Sequence, residues 1–247
     1  MKSEKKILSK EVISWAFYDW ANSAFATTVI AGFFPIFFKS FWANSLSDSE
    51  STALLGVANS LSGFFILIFA PFLGALADIT FRKKYMLVFF MLIGAGSTAS
   101  FFFINEGYWM IAVITYILAS IGFSGGNIFY DSLIIDVSND QSRNKVSAFG
   151  YAMGYLGGGI LFVVNVLMYL QPNTFGLTSQ IDAVLFSFLS VAIWWSVFTL
   201  PLIRFVKESK GEITSLSLIS TLKNTFSRVI NTFKEIRQYK NIFYFLL

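Results

Sequence analysis

From Val12 to Phe38 the chain carries one formal charge, Asp19, inside a run of apolar and aromatic residues. The same texture returns five more times. Ser14–Phe38, Ala53–Ala77, Tyr85–Ile104, Tyr108–Phe129, Val146–Leu170 and Ala183–Ile203 are mainly apolar. Each reaches the roughly 20 residues that a helix needs to cross a hydrocarbon core. Their periodicity is helical or uniformly apolar, without the alternation of a membrane strand. The pattern predicts an all-α polytopic membrane protein built on a six-helix transmembrane bundle. A seventh apolar stretch, Asn241–Leu247, is too short to cross and reads as the truncated start of another span. The expected organisation is a bundle over 1–206, a cytosolic linker over 207–240 and that truncated start over 241–247.

The connections between spans set an orientation. The first, third and fifth loops hold one basic residue, Lys39, and the other 17 of the 18 Lys and Arg lie elsewhere. Lys2, Lys5, Lys6 and Lys10 precede the first span; Arg82, Lys83, Lys84, Arg143 and Lys145 sit in the second and fourth loops. Basic residues concentrate on the cytoplasmic side of a membrane, so the N-terminus and the 207–240 segment are expected in the cytosol. The first apolar run is longer than the core of a signal peptide and reads as a retained span. In the tail, Ile219, Leu222, Phe226, Val229 and Phe233 recur at helical spacing among Lys and Arg. That pattern fits an amphipathic helix on the inner leaflet or against the bundle; a solvated linker is the alternative.

Composition narrows the chemistry. Hydrophobic residues make up 55% of the chain and charged residues 13%, against roughly 25% charged in soluble domains. Lipid is therefore the expected solvent and membrane lipid a partner; the distribution of basic residues argues against nucleic acid as the reason for the positive charge. Cysteine and histidine are both absent. That removes disulfides, thiol nucleophiles, the commonest metal ligand and the commonest general base, so no cofactor and no metal are expected. Proton chemistry is left to carboxylates, or to a displaced Tyr or Lys. No phosphate-binding Gly-x-x-x-x-Gly-Lys loop occurs.

A carboxylate in a membrane helix costs about 2.5–3.5 kcal/mol at the centre. Asp19 lies five residues beyond the expected helix start at Ser14, about 8 Å of rise and short of the middle. Asn22, Ser23 and Ala26 follow it on the same face. The fourth span carries a comparable stripe, Ser120, Ser124, Asn127 and Asp131. Three roles fit the two carboxylates: a gate or lock with a basic residue such as Arg143 or Lys145, binding of a cationic group or the coupling proton, or contact with polar headgroups. Asp19, Asn22, Asn127 and Asp131 are the candidate substrate and proton-coupling residues. In the fifth span Gly150, Gly154 and Gly158 stand four apart, the spacing that lets membrane helices approach closely.

The loop GALADITFRKK, Gly74–Lys84, resembles the signature between the second and third spans of the major facilitator superfamily. Gly74, Asp78, Arg82 and Lys83 match it, while Ile79 and Phe81 replace its usual basic residue and glycine. FYDWANSAFATTV and IFYDSLIIDVSNDQSRNKVSAFGYAMGYLGGG resemble the vacuole-effluxer-like family, which includes fungal vacuolar amino-acid exporters and bacterial relatives. The glycine-rich run also resembles the fifth-span motif of superfamily antiporters, with Tyr155 in place of its proline.

The resemblance implies the N-terminal six-helix half of a transporter of about twelve spans. It also implies rocker-switch alternating access, a cytosolic gate at Gly74, Asp78, Arg82 and Lys83, and a cavity lined by the first and fourth spans. The expected function is secondary active movement of small solutes, amino acids by default, with proton-coupled efflux, in the plasma membrane of a bacterium. The expected partner is a missing C-terminal six-helix half or a second copy. The alternatives are a six-span homo-oligomeric channel or an assembly partner without transport of its own. An enzyme is not expected.

Overall fold

The computed structural model describes residues 8–80, 82–208 and 227. Six long helices cross the bundle: α1 (Lys10–Trp42), α2 (Asp48–Thr80), α3 (Lys83–Phe103), α4 (Trp109–Val137), α5 (Arg143–Leu170) and α6 (Gln180–Phe205). Each expected span is present as a helix long and apolar enough to cross a membrane. No strand occurs among the described residues. The chain is an all-α, multi-pass integral membrane protein. Lys2, Lys5, Lys6, the linker beyond Glu208 apart from Ser227, and the 241–247 segment lie outside the described residues.

Local chemistry sets the helix ends. Ser9 caps α1 by accepting the Val12 amide at 3.3 Å, and Ser179 caps α6 by accepting that of Asp182 at 3.0 Å. At α2, Ser47 and Glu50 exchange hydrogen bonds as a capping box. Two turns need a left-handed residue, and glycine supplies it at Gly107 (φ 82°) and Gly176 (φ 72°).

α1 is not uniformly α-helical. It widens to π geometry over Phe25–Phe33 and again over Phe38–Trp42. The Thr27 hydroxyl lies at 3.1 Å from the Ser23 carbonyl and 3.3 Å from that of Ala24, within the turn that opens. Pro35 follows and lacks an N–H to return to the preceding turn. The wider section therefore has two visible causes.

α3 packs on α4, α1 on α5 and α6, α2 beside α4, and α3 on α6. Glycine permits the closest approach. A Cβ on Gly122 would run into the Gly94 backbone, and one on Gly94 into the Trp195 ring. At the end of the bundle away from Lys10, Phe34 stacks on Tyr116 at 4.2 Å, and Trp42 sits among Phe34, Phe101 and Phe188. The Trp42 Nε1–H donates to the Ile104 carbonyl at 3.1 Å. Val57, Leu61, Phe64 and Leu67 of α2 point outward, a face whose natural solvent is lipid.

Candidate functional site

Asp19 stands in the α-helical first half of α1, nine residues from Lys10. Its carboxylate accepts a hydrogen bond from Ser23 Oγ at 2.9 Å, one turn along the same face. Asn22 is fully buried and donates through Nδ2 to Asn127 Oδ1 of α4. Thr27 Oγ1 donates to the Gly158 carbonyl of α5 at 3.1 Å. One polar face of α1 is thus fastened to both α4 and α5.

The glycines of α5 form the floor of this arrangement. A Cβ on Gly154 would sit 2.8 Å from Asp19 Cγ and 2.8 Å from Ser23 Oγ. One on Gly150 would lie 2.7 Å from both the Trp15 ring and the Tyr130 hydroxyl, and one on Gly158 would lie 2.9 Å from the Ser23 carbonyl. The missing side chains leave room for the carboxylate and the aromatic rings, so the three glycines of the expected packing stripe all face α1. Gly157 abuts Trp20 in the same way.

Two adjoining cavities open here. The first, about 280 Å³, is lined by Asp19, Asn22, Ser23, Thr27, Asn127 and Tyr155, among others. The second, about 190 Å³, is lined by Trp15, Tyr130, Asp131 and Ser147. Asp19 and Tyr151 border both. The structure therefore brings all four candidate coupling residues to one connected region. Ser120 and Ser124 border neither cavity, and Ser120 Oγ is buried without a hydrogen-bond partner among the described residues. Trp15 and Tyr130 stack at 4.4 Å, and the Trp15 indole N–H donates to the Tyr130 carbonyl at 3.0 Å.

No Lys or Arg lines either cavity. Arg143 is held by Asp140 at 2.7 Å, and Lys145 is exposed. Among the described residues neither forms an ion pair with Asp19 or Asp131.

The α2–α3 turn is arranged differently from the cavity. Lys83 is buried, and its Nζ lies 3.0 Å from Asp136 Oδ2 and 3.1 Å from the Ser132 carbonyl. It ties the start of α3 to the end of α4. Lys84 reaches the carbonyls of Ile203 and Val206 at 3.2 and 2.7 Å, meeting the unsatisfied C-terminus of α6, and its amide donates to Glu208. Arg82 is exposed at the start of α3. A Cβ on Gly74 meets nothing within 4 Å, so packing does not require glycine there. The Asp78 side chain lies outside the described residues. Asp136 escaped the sequence reading; its signal was a second acid five positions after Asp131 in YDSLIID.

The family profile described as "Vacuole effluxer Atg22 like" matches residues 46–140 and 135–247. An uncharacterized MFS-type transporter, YxiO, of Bacillus subtilis is 37% identical over 244 residues, covering 98% of this chain and 56% of that protein. Autophagy-related protein 22 of Eremothecium gossypii is 20% identical over 240 residues, covering 79% of this chain and 46% of its own. The inward-open xylose transporter XylE of E. coli superposes with a TM-score of 0.57 at 19% identity, over 94% of this chain and 54% of that one. A D-xylose-proton symporter gives 0.54 at 19% identity, over 94% and 53%. The chain spans about half the length of the curated relatives it matches.

Proposed function

The chain belongs to the vacuole effluxer Atg22-like family of the major facilitator superfamily, and on that premise we propose that its six helices form one wall of a proton-coupled exporter of small solutes. The observation that carries the proposal is the polar region around Asp19. Asn22, Ser23, Asn127 and Asp131 converge with Asp19 on two neighbouring cavities on the α1–α4–α5 side of an otherwise apolar bundle. Intramembrane acids that face a cavity rather than lipid mark solute and proton paths.

In alternating access, two six-helix halves tilt about a site near the midplane. This bundle offers the first wall through α1, α4 and α5. Tyr151 and Tyr155 project from α5 at 65% and 80% exposure, where an opposing wall meets them. A second six-helix half supplies that wall, or a second copy of the chain. The helices from Lys10 to Phe205 form the wall. Asp19 and Asp131 carry the coupling proton, since no histidine is present in the chain. The turn at Gly74, Asp78, Arg82 and Lys83 latches the basic end. By the distribution of basic residues that end faces the cytosol, and the membrane is the plasma membrane of a bacterium. Amino acids, the cargo that the resemblance to the vacuole-effluxer-like family implies, are the default solutes, leaving the cell.

Flux of labelled amino acids in proteoliposomes holding the full-length protein tests this reading. An imposed proton gradient drives flux in the parent, and Asp19→Asn removes the gradient dependence while membrane insertion is retained. Gradient-driven flux that survives Asp19→Asn unchanged takes the coupling role away from Asp19.

A further inference from the structure

Resting on the transporter reading, we infer that the solute carries an ammonium or similar organic cation, and that this wall binds that group between Asp131 and Asp19 beside Trp15, Tyr130 and Tyr151. Three independent observations converge on this small cavity.

The first is its charge. Asp19 and Asp131 both border a volume of about 190 Å³, and none of its other lining residues is basic. Two negative groups facing one small space repel each other, and a cation entering that space is attracted by both. A solute carrying only a carboxylate or phosphate meets the opposite field.

The second is an unpartnered hydroxyl. Tyr130 is 6% exposed, and its OH has no hydrogen-bond partner among the described residues. That oxygen approaches α5 at Gly150, between Ser147 and Tyr151, which also line the cavity. Buried polar groups are ordinarily satisfied. A hydroxyl oxygen left over next to two carboxylates suits a ligand with several N–H donors, which an ammonium group provides.

The third is the aromatic character of the wall. Trp15 and Tyr130 cover each other's faces in a 4.4 Å stack, and Tyr151, 65% exposed, supplies the open ring whose quadrupole attracts cations and not anions. Asp19 also borders the larger cavity of about 280 Å³, where Asn22, Asn127 and Thr27 supply neutral polar groups. The solute's remaining atoms extend into that space. A zwitterion's carboxylate finds no basic side chain on this wall and is left to the opposing one.

Isothermal titration of the full-length protein in lipid nanodiscs separates these classes with three probes sharing a benzene ring: phenethylamine, phenylalanine and 3-phenylpropionate. The amine and the amino acid bind saturably, and the acid binds at least tenfold more weakly. Asp131→Asn weakens the amine at least tenfold, and Asp131→Glu restores most of the loss. Size-exclusion profile and thermal midpoint confirm that both variants remain folded. Equal binding of acid and amine, no binding of the amine, or amine binding untouched by Asp131→Asn overturns the inference. Flux is not read here, so failure of the transporter reading shows in the vesicle experiment and failure of the ammonium reading shows in this one.

Discussion

Replacing Gly154 by alanine places one methyl group where the Asp19 carboxylate now sits. The new Cβ falls 2.8 Å from Asp19 Cγ, 2.8 Å from Ser23 Oγ and 2.9 Å from Asp19 Oδ1. All three contacts are closer than Cβ atoms tolerate, so Asp19 must rotate away or α1 and α5 must separate. Rotation breaks the 2.9 Å hydrogen bond from Ser23 and moves the acid out of the cavity; separation loosens the Thr27–Gly158 contact. Overpacking of this kind costs about 1–3 kcal/mol. Gly159, five positions on in the same helix, is the internal control, because a Cβ there meets nothing within 4 Å. Its alanine variant is neutral or gains up to about 1 kcal/mol of helix propensity. Denaturant-induced unfolding in mixed micelles, followed by intrinsic fluorescence of the six tryptophans, reads the difference. The two variants should separate by about 1–4 kcal/mol, and transport in the full-length protein should fall at least tenfold for Gly154→Ala only. Equal stability and equal flux in the two variants would refute the claim that the glycine floor positions Asp19.

Lys83→Met leaves Asp136 buried without the ammonium that now lies 3.0 Å away. Loss of one partner from a buried pair costs about 3–5 kcal/mol, and the same unfolding assay should show it, with Arg82→Met at the exposed neighbour changing little. Asn22→Leu removes the side-chain link from α1 to Asn127 of α4. A lost interhelical hydrogen bond of this type lowers stability by about 0.6–2 kcal/mol, so the variant should insert normally and unfold at a slightly lower denaturant concentration.

The six spans were legible because length and apolarity alone determine them in a membrane, and every span expected from the chain is a helix. Their ends were less so. Tyr108–Phe129 stopped at the first charge, whereas α4 continues to Val137, because Asp131 borders a cavity and need not face lipid. α1 likewise begins at Lys10 and not Ser14, since Ser9 caps it. The contact of Thr27 with the Gly158 carbonyl, 131 residues away, is likewise something that no local pattern discloses. The same distance limit hid Lys83–Asp136, whose members stand 53 positions apart. Gly150, Gly154 and Gly158 were legible as a stripe of small residues, but not what they face. Arg143 and Lys145 were reasonable partners for the carboxylates by proximity along the chain; Arg143 instead meets Asp140, three residues before it.

The central claim is that a negatively charged cavity lies between α1, α4 and α5, and the absence of cysteine from this chain makes it directly measurable. Ser147→Cys places a thiol in the cavity beside Asp131, and Asn173→Cys, in an exposed turn, serves as the reference. Rates of modification by trimethylammonioethyl and sulfonatoethyl methanethiosulfonate, taken as a ratio at each site, report the sign of the local field. The ratio at Ser147→Cys should exceed the reference ratio at least tenfold in favour of the cationic reagent. A thiol there that reacts with neither reagent, or that shows the same ratio as the reference, would contradict the account.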